Sequence, residues 1–545
     1  MRARAAPPRH ARGGPSRRWL ALAVLCVSLL IVSLDNTVLN VALPTLVRKL
    51  DATSSDLQWI VDAYVIVFAG LLLVAGSVAD RVGRKRTFLV GLVAFAAGST
   101  WAAFSGSVAH LIAARASMGI GGALIMPSTL AIITNMFTEE RERARAFGLW
   151  AGTSGVGIAL GPIVGGLLLA HFWWGSVFLV NVPIAGLGLL LSLTLVPDSK
   201  NPAAQRSDLV GAFLSMVGMG LLLWSIIEAP VRGWASGRVI GAGAGGLGAL
   251  AGFALWESVS SHPMLRVEFF RDRRFSAAIV SVGLAMFGLF GALFVLTQFM
   301  QFQLGYSALG AGIRVLPAAG AIAVVAPLSS LLARAVGTKP TVVAGLVVVS
   351  GGLFQISRAA VGTTFTGTVA GMVLLGVGAG LVIPSATSLV MGSLPLEHTG
   401  VGSATNGSFL QVGGALGVGV IGSLLSDRYQ HRLSPALSGS HVPHQVEHAI
   451  LGSLGGALEV ARSVGGSAGE LLSHAARAAF VSGMDLGLVA GAGVALAGAL
   501  LATLTLPGRG AGAGGPAAGR AHRRHRHRRR VVRAHAAWTG RRAAP

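Results

Sequence analysis

The composition of this 545-residue chain indicates a membrane protein, since 53% of its residues are hydrophobic, only 12% are charged and its formal net charge is +23. Soluble proteins carry about 25% charged residues, so this composition excludes a water-soluble protein and, away from the chain ends, a disordered one. The sequence contains no Gly-x-x-x-x-Gly-Lys-Ser/Thr phosphate-binding loop and no set of Cys and His at metal-ligand spacing, so neither ATP hydrolysis nor a metal site is expected.

Fourteen mainly apolar stretches, each about 18 to 25 residues long, predict an all-α polytopic membrane protein with fourteen transmembrane helices. The stretches lie at 19–42, 58–79, 87–105, 109–133, 144–168, 176–196, 209–228, 238–257, 275–298, 309–333, 340–357, 366–390, 400–425 and 484–506. The first stretch follows an Arg-rich start, but it is too long for the apolar part of a signal peptide and contains Asp35. We therefore expect it to be retained as a helix.

The breaks between the stretches divide the chain into similar parts. Six stretches precede a hydrophilic break at 197–208, two glycine-rich stretches follow it, and six more come after a basic break at 266–274. This order predicts two six-helix bundles joined by an inserted two-helix hairpin. The predicted parts are a basic cytoplasmic N-tail at 1–18, an N-terminal bundle at 19–200, the hairpin at 201–262, a C-terminal bundle at 263–506 and a disordered basic tail at 507–545.

Within the C-terminal bundle, the segment 429–480 is rich in Gly, Ser and His and is predicted to lie outside the membrane. In its middle, 446–472 has apolar residues at mixed spacing. This part could form short amphipathic helices on the membrane surface.

The distribution of lysine and arginine predicts the orientation of the chain. With the N-terminus in the cytoplasm, 32 of the 43 Lys and Arg residues fall in cytoplasmic segments and 9 in external ones. Because positive residues concentrate on the cytoplasmic side, we expect a multi-pass protein of the cytoplasmic membrane with both termini inside. The basic run at 522–530 would then attract anionic lipid. Since Trp538 is the one aromatic residue near it, nucleic-acid binding is not expected.

Charged residues within the apolar stretches mark a candidate site. Asp35 must face a polar cavity, find a partner or take up a proton, because an ionised carboxylate among apolar groups is costly. Alternatively, Asp35 reaches external water from the helix end, with Pro44 nine residues further on. Arg115 needs a carboxylate or carbonyl partner unless its side chain extends to the interface. Asp62, near the external end of the second stretch, could share a cavity with Asp35.

Two further motifs contain glycines. Between the second and third stretches, the segment 76–86 surrounds Asp80 with basic residues and with glycines that allow a tight cytoplasmic turn, where Asp80 can pair with arginine or cap a helix. In the fifth stretch, Gly157, Gly161 and Gly165 recur every four residues and would let another helix approach closely. Alternatively, this stripe serves helix packing with no role in transport.

Together these motifs resemble the signatures of the fourteen-span drug:proton antiporters (the QacA/EmrB-like branch) of the major facilitator superfamily. The loop signature is matched by Gly76, Asp80, Arg81, Gly83, Arg84 and Lys85. The antiporter signature of the fifth helix is matched by Gly148, Gly157, Gly161, Pro162, Gly165 and Gly166. The first-helix signature is matched by Leu34, Asp35, Thr37, Asn40, Ala42 and Pro44. The fourth-helix signature around Arg115 is matched except at Met118, where glutamine is usual, and this loss bears on any proton relay there.

The resemblance covers about residues 19–506. It implies a non-enzymatic carrier without a cofactor, which uses the proton gradient to export hydrophobic or cationic drugs. Asp35 and Arg115 would belong to its proton and substrate cavity, with Asn40 and Asp62 as further candidates. Asp80 and its basic neighbours would latch the bundles on the cytoplasmic side, and the fifth-helix glycines would set the packing that distinguishes exporters from importers.

Three alternatives stay open at this point. On the same fold, the protein could be a dedicated exporter of one endogenous metabolite, lipid or antibiotic. It could also be a membrane sensor or scaffold that transports nothing. An importer is disfavoured by the resemblance of the fifth helix alone.

Overall fold

The computed structural model describes residues 15–200, 208–261, 263–394, 399–437 and 442–506. The predictions for the start of the N-tail and for the tail at 507–545 lie outside these described residues, as does the beginning of the predicted hairpin at 201–207. In the described part of the chain all regular secondary structure is helical.

Fourteen helical segments in the described part are long and apolar enough to span a bilayer, which confirms the predicted number. In chain order the helices are α1 (Pro15–Leu50), α2 (Ser54–Val82), α3 (Arg84–Ala103), α4 (Val108–Met136), α5 (Glu140–His171), α6 (Ser176–Leu179), α7 (Asn181–Leu195), α8 (Leu209–Arg232), α9 (Gly237–Val259), α10 (Arg273–Gln298), α11 (Ala308–Arg314), α12 (Leu316–Val336), α13 (Thr338–Ser357), α14 (Phe365–Gly392), α15 (Thr399–Leu437), α16 (His444–Gly452), α17 (Leu454–Val464) and α18 (Gly466–Thr505). Three spans consist of two consecutive pieces: α6 with α7, α10 with a π-helical turn at Phe299–Gln303, and α11 with α12.

Local sequence signals set the ends of α2. Gly83 alone joins α2 to α3 and has a φ of +125°, a backbone conformation that favours glycine. At the other end, Thr53 and Asp56 form a capping box. Thr53 Oγ1 accepts a hydrogen bond from Asp56 N at 3.3 Å, and Thr53 N donates one to Asp56 Oδ2 at 2.9 Å.

Several helices extend beyond their predicted apolar stretches, above all around the segment 429–480. α15 continues to Leu437 and α18 begins at Gly466, so both helices extend into this segment. α1 likewise continues through Pro44 to Leu50. Hydropathy detects only the portion of a helix that crosses hydrocarbon, so polar helix ends outside the membrane escape it.

The short helices α16 and α17 form a cap over other helices, which differs from the expected position on the membrane surface. α17 buries Leu454, Leu458 and Ala461, and it packs against α18 and α1. Tyr429 of α15 donates a hydrogen bond to the carbonyl oxygen of Ile450 in α16 at 2.8 Å. Since protein covers the apolar face of α17, that face is not available to lipid.

The spanning helices form two halves that meet along two seams. α1–α7 pack on each other as the first half, and α10–α15 with α18 form the second half. The halves meet where α2 lies against α15 and where α5 lies against α11. The paired helices α8 and α9 reach both halves through α8, which lies against α2 and α15. This is the architecture expected for two bundles with an inserted hairpin.

The two halves converge at the end of the molecule where α1 meets α2. There Gln301 Nε2 of the second half donates a hydrogen bond to Val41 O of α1 at 2.8 Å. Near the opposite end, a Cβ placed on Gly148 or Gly152 of α5 would have no neighbouring atom within 4 Å. This face of α5 therefore has no helix packed against it, while other residues of the same turns contact α1 and α4: Arg18 Nη1 lies 3.4 Å from Glu142 Oε2, and Trp150 Nε1 donates a hydrogen bond to Thr129 Oγ1 at 3.1 Å.

Candidate functional site

Asp35 and Arg115 meet in the interior of the first half. Arg115 Nη1 of α4 lies 2.5 Å from Asp35 Oδ2 of α1, and their side chains are 1% and 2% exposed, respectively. Neither side chain reaches the aqueous surface, so the alternatives of external water for Asp35 and of the interface for Arg115 do not apply. Each charge is the partner of the other, which lowers the cost of burying both.

Neighbouring polar groups hold the ion pair in place. Arg115 Nε donates a hydrogen bond to Ile60 O at 3.1 Å, and its guanidinium carbon lies 4.5 Å from the centre of the Tyr64 ring. On the other side, Asn181 Nδ2 donates a hydrogen bond to Asp35 Oδ1 at 3.3 Å. Four helices, α1, α2, α4 and α7, thus fix the geometry of the pair. A buried ion pair depends on such additional hydrogen bonds to satisfy its remaining donors and acceptors.

Met118 packs directly against the ion pair. Its Sδ lies 3.9 Å from Arg115 Nη1, and the side chain is fully buried. A thioether sulphur is only a weak hydrogen-bond acceptor. Where the resemblance would place a glutamine, the pair therefore has an apolar neighbour, and Asp35 supplies the strong acceptor for this nitrogen.

A cleft of about 10 Å³, roughly the space that one water molecule needs, lies beside the ion pair at the junction of the two halves. Its lining residues are Asn36, Leu39, Val61, Val65, Arg115, Phe290, Gln411, Gly414 and Ala415. Arg115 touches both Asp35 and this cleft, so a molecule bound there would contact the cation of the pair. The walls are mostly apolar with a few polar groups, but a drug-sized ligand needs a pocket of about 300 Å³ or more, so the cleft must widen before it can admit one.

The other predicted cavity residues, Asn40 and Asp62, are buried but do not line this cleft. Asn40 Nδ2 donates a hydrogen bond at 3.3 Å to a backbone carbonyl of its own helix. Neither carboxyl oxygen of Asp62 has a hydrogen-bond partner among the described residues, and Oδ2 lies 3.7 Å from the position of a Cβ on Gly419 of α15. Successive residues of a helix are rotated by about 100°, so Val61 faces the cleft while Asp62 faces the α2–α15 seam. The cavity that Asp62 was expected to share with Asp35 is not seen in this conformation.

The loop residues bind other helices of the first half. Asp80 Oδ1 accepts a hydrogen bond from Arg84 Nε at 2.8 Å, and Arg84 Nη1 donates one to Ala131 O of α4 at 3.1 Å. Lys85 Nζ donates a hydrogen bond to Leu193 O of α7 at 2.8 Å. These contacts join α2 and α3 to α4 and α7, all within one half. A role of this loop in latching the two halves stays a prediction.

Most of the α5 signature packs closely on other helices. Cβ atoms placed on three of its glycines would lie 3.1 Å or less from atoms of α1 within 33–38; these glycines are Gly157, Gly161 and Gly165. Gly166 and Pro162 instead lie against α11 of the second half. Gly148, nearer the start of α5, has no such neighbour. Because 33–38 contains Asp35, the three glycines determine how closely α5 supports the ion pair.

Inspection of the sequence missed four residues of this site. Asn181 and Tyr64 contact the ion pair, and Phe290 and Gln411 line the cleft. Asn181 carries a usable signal, since an amide at the start of an apolar span needs a partner. The other three are ordinary residues for their helices. Only the packing of helices distant in the chain brings them to the site.

Comparison with known sequences agrees with this architecture. Residues 25–418 match the sequence profile of the Major Facilitator Superfamily. The chain is 36% identical over 486 residues to the multidrug efflux pump LfrA of Mycolicibacterium smegmatis, which covers 89% of this chain and 95% of that protein. It is 33% identical over 500 residues to the tetracenomycin C resistance and export protein of Streptomyces glaucescens, with 91% and 93% covered. It is 32% identical over 470 residues to the methyl viologen resistance protein SmvA of Salmonella typhimurium, with 85% and 93% covered.

Solved structures show the same fold at low sequence identity. A bacterial homolog of the human lysosomal transporter Spinster, crystallised in an inward-facing and occupied conformation, matches with a TM-score of 0.63 at 17% identity, covering 91% of this chain and 98% of that chain. The human organic anion transporter MFSD10 matches with a TM-score of 0.55 at 16% identity, covering 90% and 100%. Since the profile spans most of the chain and relatives above 30% identity align along nearly all of it, this chain belongs to the Major Facilitator Superfamily, whose members are multi-pass membrane transporters and not enzymes.

Proposed function

We propose that this protein exports hydrophobic, drug-like compounds across the cytoplasmic membrane in exchange for protons. The observation that carries this proposal is the buried Asp35–Arg115 ion pair in the wall of a cleft between the two halves. A proton and a bound compound can both act on that pair, which is what coupling one flux to the other requires. The names of two relatives, a multidrug efflux pump and a methyl viologen resistance protein, support drugs as the cargo.

In the proposed cycle, Asp35 carries the proton. While ionised, it holds Arg115 through the 2.5 Å contact. A proton bound to a carboxyl oxygen of Asp35 removes its negative charge and leaves the buried guanidinium without an ionic partner. An unpaired buried cation is unfavourable. The protonated state therefore favours a different arrangement of α1 and α4, and release of the proton restores the pair.

The exported compound acts on the same structure from the cleft, which the halves widen as they move apart to admit it. The walls of the cleft come from α1, α2 and α4 on one side and from α10 and α15 on the other. A compound that contacts both walls binds best in one relative position of the halves. Because proton and compound favour different arrangements, they move in opposite directions as the halves rock around the site.

We further propose that both termini lie in the cytoplasm, which makes the converging end of the two halves the external end. The distribution of Lys and Arg supports this orientation. The loop at 76–86 would then lie at the cytoplasmic end and gate it, and the basic tails would bind anionic lipid. The same orientation places the α16–α17 cap outside.

A dedicated exporter of one endogenous compound is the second candidate. One relative is a tetracenomycin C resistance and export protein, and a name with a single compound supports this second candidate. The breadth of the cargo separates the two candidates. A multidrug exporter responds to chemically unrelated compounds, whereas a dedicated exporter responds to a single class.

Drug-triggered proton movement in inside-out membrane vesicles tests the proposal. A pH gradient is established, and ethidium with a panel of unrelated aromatic compounds is added to vesicles with wild type or Asp35→Asn. We expect several compounds to collapse the gradient in wild type and none in Asp35→Asn, because the amide keeps the shape of the side chain but cannot exchange a proton.

The matched control is Asp485→Asn, which removes an exposed acid of α18 at a distance from the cleft. This variant should behave like wild type. Gradient collapse that survives in Asp35→Asn would contradict the role of Asp35, and a response to a single compound class would favour the dedicated exporter.

A further inference from the structure

Asn181, at the start of α7, is the neutral neighbour of Asp35, and the role inferred for it here rests on the proposed proton-coupled export. Its side chain is fully buried, and Nδ2 donates hydrogen bonds to Asp35 Oδ1 at 3.3 Å and to Ser99 Oγ at 3.1 Å. The carbonyl oxygen of the same amide, Oδ1, has no hydrogen-bond partner among the described residues. A buried acceptor without a partner is unfavourable, so this oxygen points to a second state of the site in which a donor lies beside it.

Asp35 becomes such a donor when it takes up a proton. A carboxylate only accepts hydrogen bonds, whereas a protonated carboxyl group also donates one. The terminal torsion of asparagine is soft, so a rotation can bring Asn181 Oδ1 toward the acid. Ser99 does not depend on the present orientation of the amide, because its hydroxyl donates to Phe178 O at 2.7 Å. The Asn181 amide can therefore serve Asp35 in both protonation states.

The other groups around Asp35 offer no comparable acceptor. Arg115 has donors only, and the Met118 sulphur beside it is a weak acceptor. The Tyr64 hydroxyl is also buried without a partner among the described residues, but it lies beside Gly122, about two turns along α4 from Arg115. Arg115 and Tyr64 are the titratable side chains that face Asp35, while α5 and α7 bring neutral residues to it.

Arg115 keeps partners of its own when Asp35 is neutral, and both are on α2. Its Nε donates a hydrogen bond to Ile60 O at 3.1 Å, and its guanidinium carbon lies 4.5 Å from the centre of the Tyr64 ring. α4 also packs tightly on α2, since a Cβ on Gly119 would lie 2.7 Å from Tyr64 O. α1 packs on α5 and α7. The Asp35–Arg115 contact thus joins α1 and α7 to α2 and α4.

We propose that Asn181 is a positioning residue that holds Asp35 in its protonated state. The ionised acid binds Arg115 of α4, and the neutral acid donates its hydrogen bond to Asn181 Oδ1 of α7. A proton on Asp35 therefore exchanges a partner on α4 for a partner on α7. This exchange loosens the link between α1–α7 and α2–α4, and release of the proton restores it.

Infrared difference spectroscopy of the purified full-length protein in lipid nanodiscs tests the proposal. Spectra at high pH are subtracted from spectra at low pH, and the carboxylic acid band of Asp35 is identified by its loss in Asp35→Asn. A carboxylic acid that donates a hydrogen bond absorbs at lower wavenumber than a free one. We expect Asn181→Leu, which keeps the branched shape without polar atoms, to move the band to higher wavenumber. The control Ser192→Ala removes another unpartnered buried oxygen of α7 and should leave the band in place.

The vesicle assay provides a second readout. Asn181→Leu should slow compound-triggered gradient collapse about tenfold, as expected when a buried hydrogen-bonding group loses its partner. Asn181→Asp should retain more transport than Asn181→Leu, because two adjacent carboxyl groups share one proton and so keep both a donor and an acceptor. A purely structural role of Asn181 predicts the reverse order, since a second buried acid is less favourable than leucine among apolar helices.

An Asp35 band that stays in place in folded Asn181→Leu overturns the proposal, and so does faster transport in Asn181→Leu than in Asn181→Asp. A band that moves in Tyr64→Phe instead would assign the acceptor to Tyr64. Size-exclusion profiles check that the variants are folded.

Isotopic labelling of wild type answers the same question without a variant at Asn181. With the side-chain carbonyl of asparagine labelled, the difference spectrum must contain a labelled amide band that changes together with the Asp35 band, and its absence would refute the role of Asn181. Vesicles in which no compound triggers proton movement in wild type would refute the export function itself. A band that stays in place would refute only the role of Asn181.

Discussion

At the scale of single residues, Asp35 and Arg115 depend on each other because both are buried among apolar helices. Removing one partner leaves the other as an uncompensated charge, which typically costs about 3–5 kcal/mol. Replacing both with neutral groups of similar size is far less costly. The same dependence makes the pair a switch in the proposed cycle, since a proton on Asp35 removes one charge in the way that a substitution does.

A double-mutant cycle on this pair measures that dependence. We expect Arg115→Gln and Asp35→Asn each to lower the free energy of unfolding, and the double variant to be more stable than the sum of the single effects predicts. Thermal unfolding in lipid nanodiscs, followed by tryptophan fluorescence, provides the measurement. Additive effects of the two substitutions would show that the charges do not interact in the folded protein.

At the scale of helices, the glycine signature of α5 packs against two different helices, α1 on one face and α11 on the other. Gly157, Gly161 and Gly165 lie against the α1 segment that carries Asp35, and Gly166 lies against α11 of the second half. A helix that contacts the proton site and the opposite half can transmit movement between them. The close approach, and not the flexibility of glycine, is what these positions require, since α5 is regular through all of them.

Gly161→Ala tests this close approach. The added methyl group would meet Thr37 and would lie 3.0 Å from Leu34 O, so α5 must move away from α1 next to Asp35. Overpacking of this kind costs about 1–3 kcal/mol, and we expect a lower melting temperature and a several-fold loss of transport in the vesicle assay.

Gly152→Ala is the control on the same helix, because its Cβ would have no neighbouring atom within 4 Å. Alanine favours a helix over glycine by about 1 kcal/mol, so this variant should keep its transport rate and its stability. Equal losses in Gly152→Ala and Gly161→Ala would show that the α1 contact is unimportant.

At the scale of the whole molecule, hydropathy alone predicts the number, order and approximate position of the spans, because the bilayer imposes the same length and composition on each of them. The limits of the predicted domains stay predictions.

The sequence was sufficient to predict that Asp35 pairs with Arg115, since each charged side chain needed a partner among apolar helices. The sequence could not predict which way the side chains of Asp62 and Gln411 point, because that depends on the rotation of α2 and α15 about their axes. Hydropathy missed the helical extensions around 429–480 because their sequences are more polar than the apolar stretches that they continue.

The closed end of the two halves permits a test of alternating access itself. If the halves rock around the cleft, the end where α1 meets α2 must separate from the α16–α17 cap and α15 in each cycle. A Cβ on Gly452 of α16 would lie 3.6 Å from Thr53 Cβ at the start of α2, within the range of a disulfide. We expect oxidation of a Thr53→Cys, Gly452→Cys variant, built on Cys26→Ala to remove the single native cysteine, to stop transport reversibly.

A second disulfide shows whether transport stops because the two halves are locked together or because any disulfide in the protein stops it. A Cβ on Gly188 of α7 would lie 3.9 Å from Ser28 Cβ of α1, and both helices belong to the first half. Ser28→Cys, Gly188→Cys should therefore transport in both redox states, because each half moves as a body. Full transport with the Thr53–Gly452 pair oxidised would instead mean that α16 moves together with α2. The halves would then separate along the α5–α11 seam, and α2 would stay in contact with the α16–α17 cap.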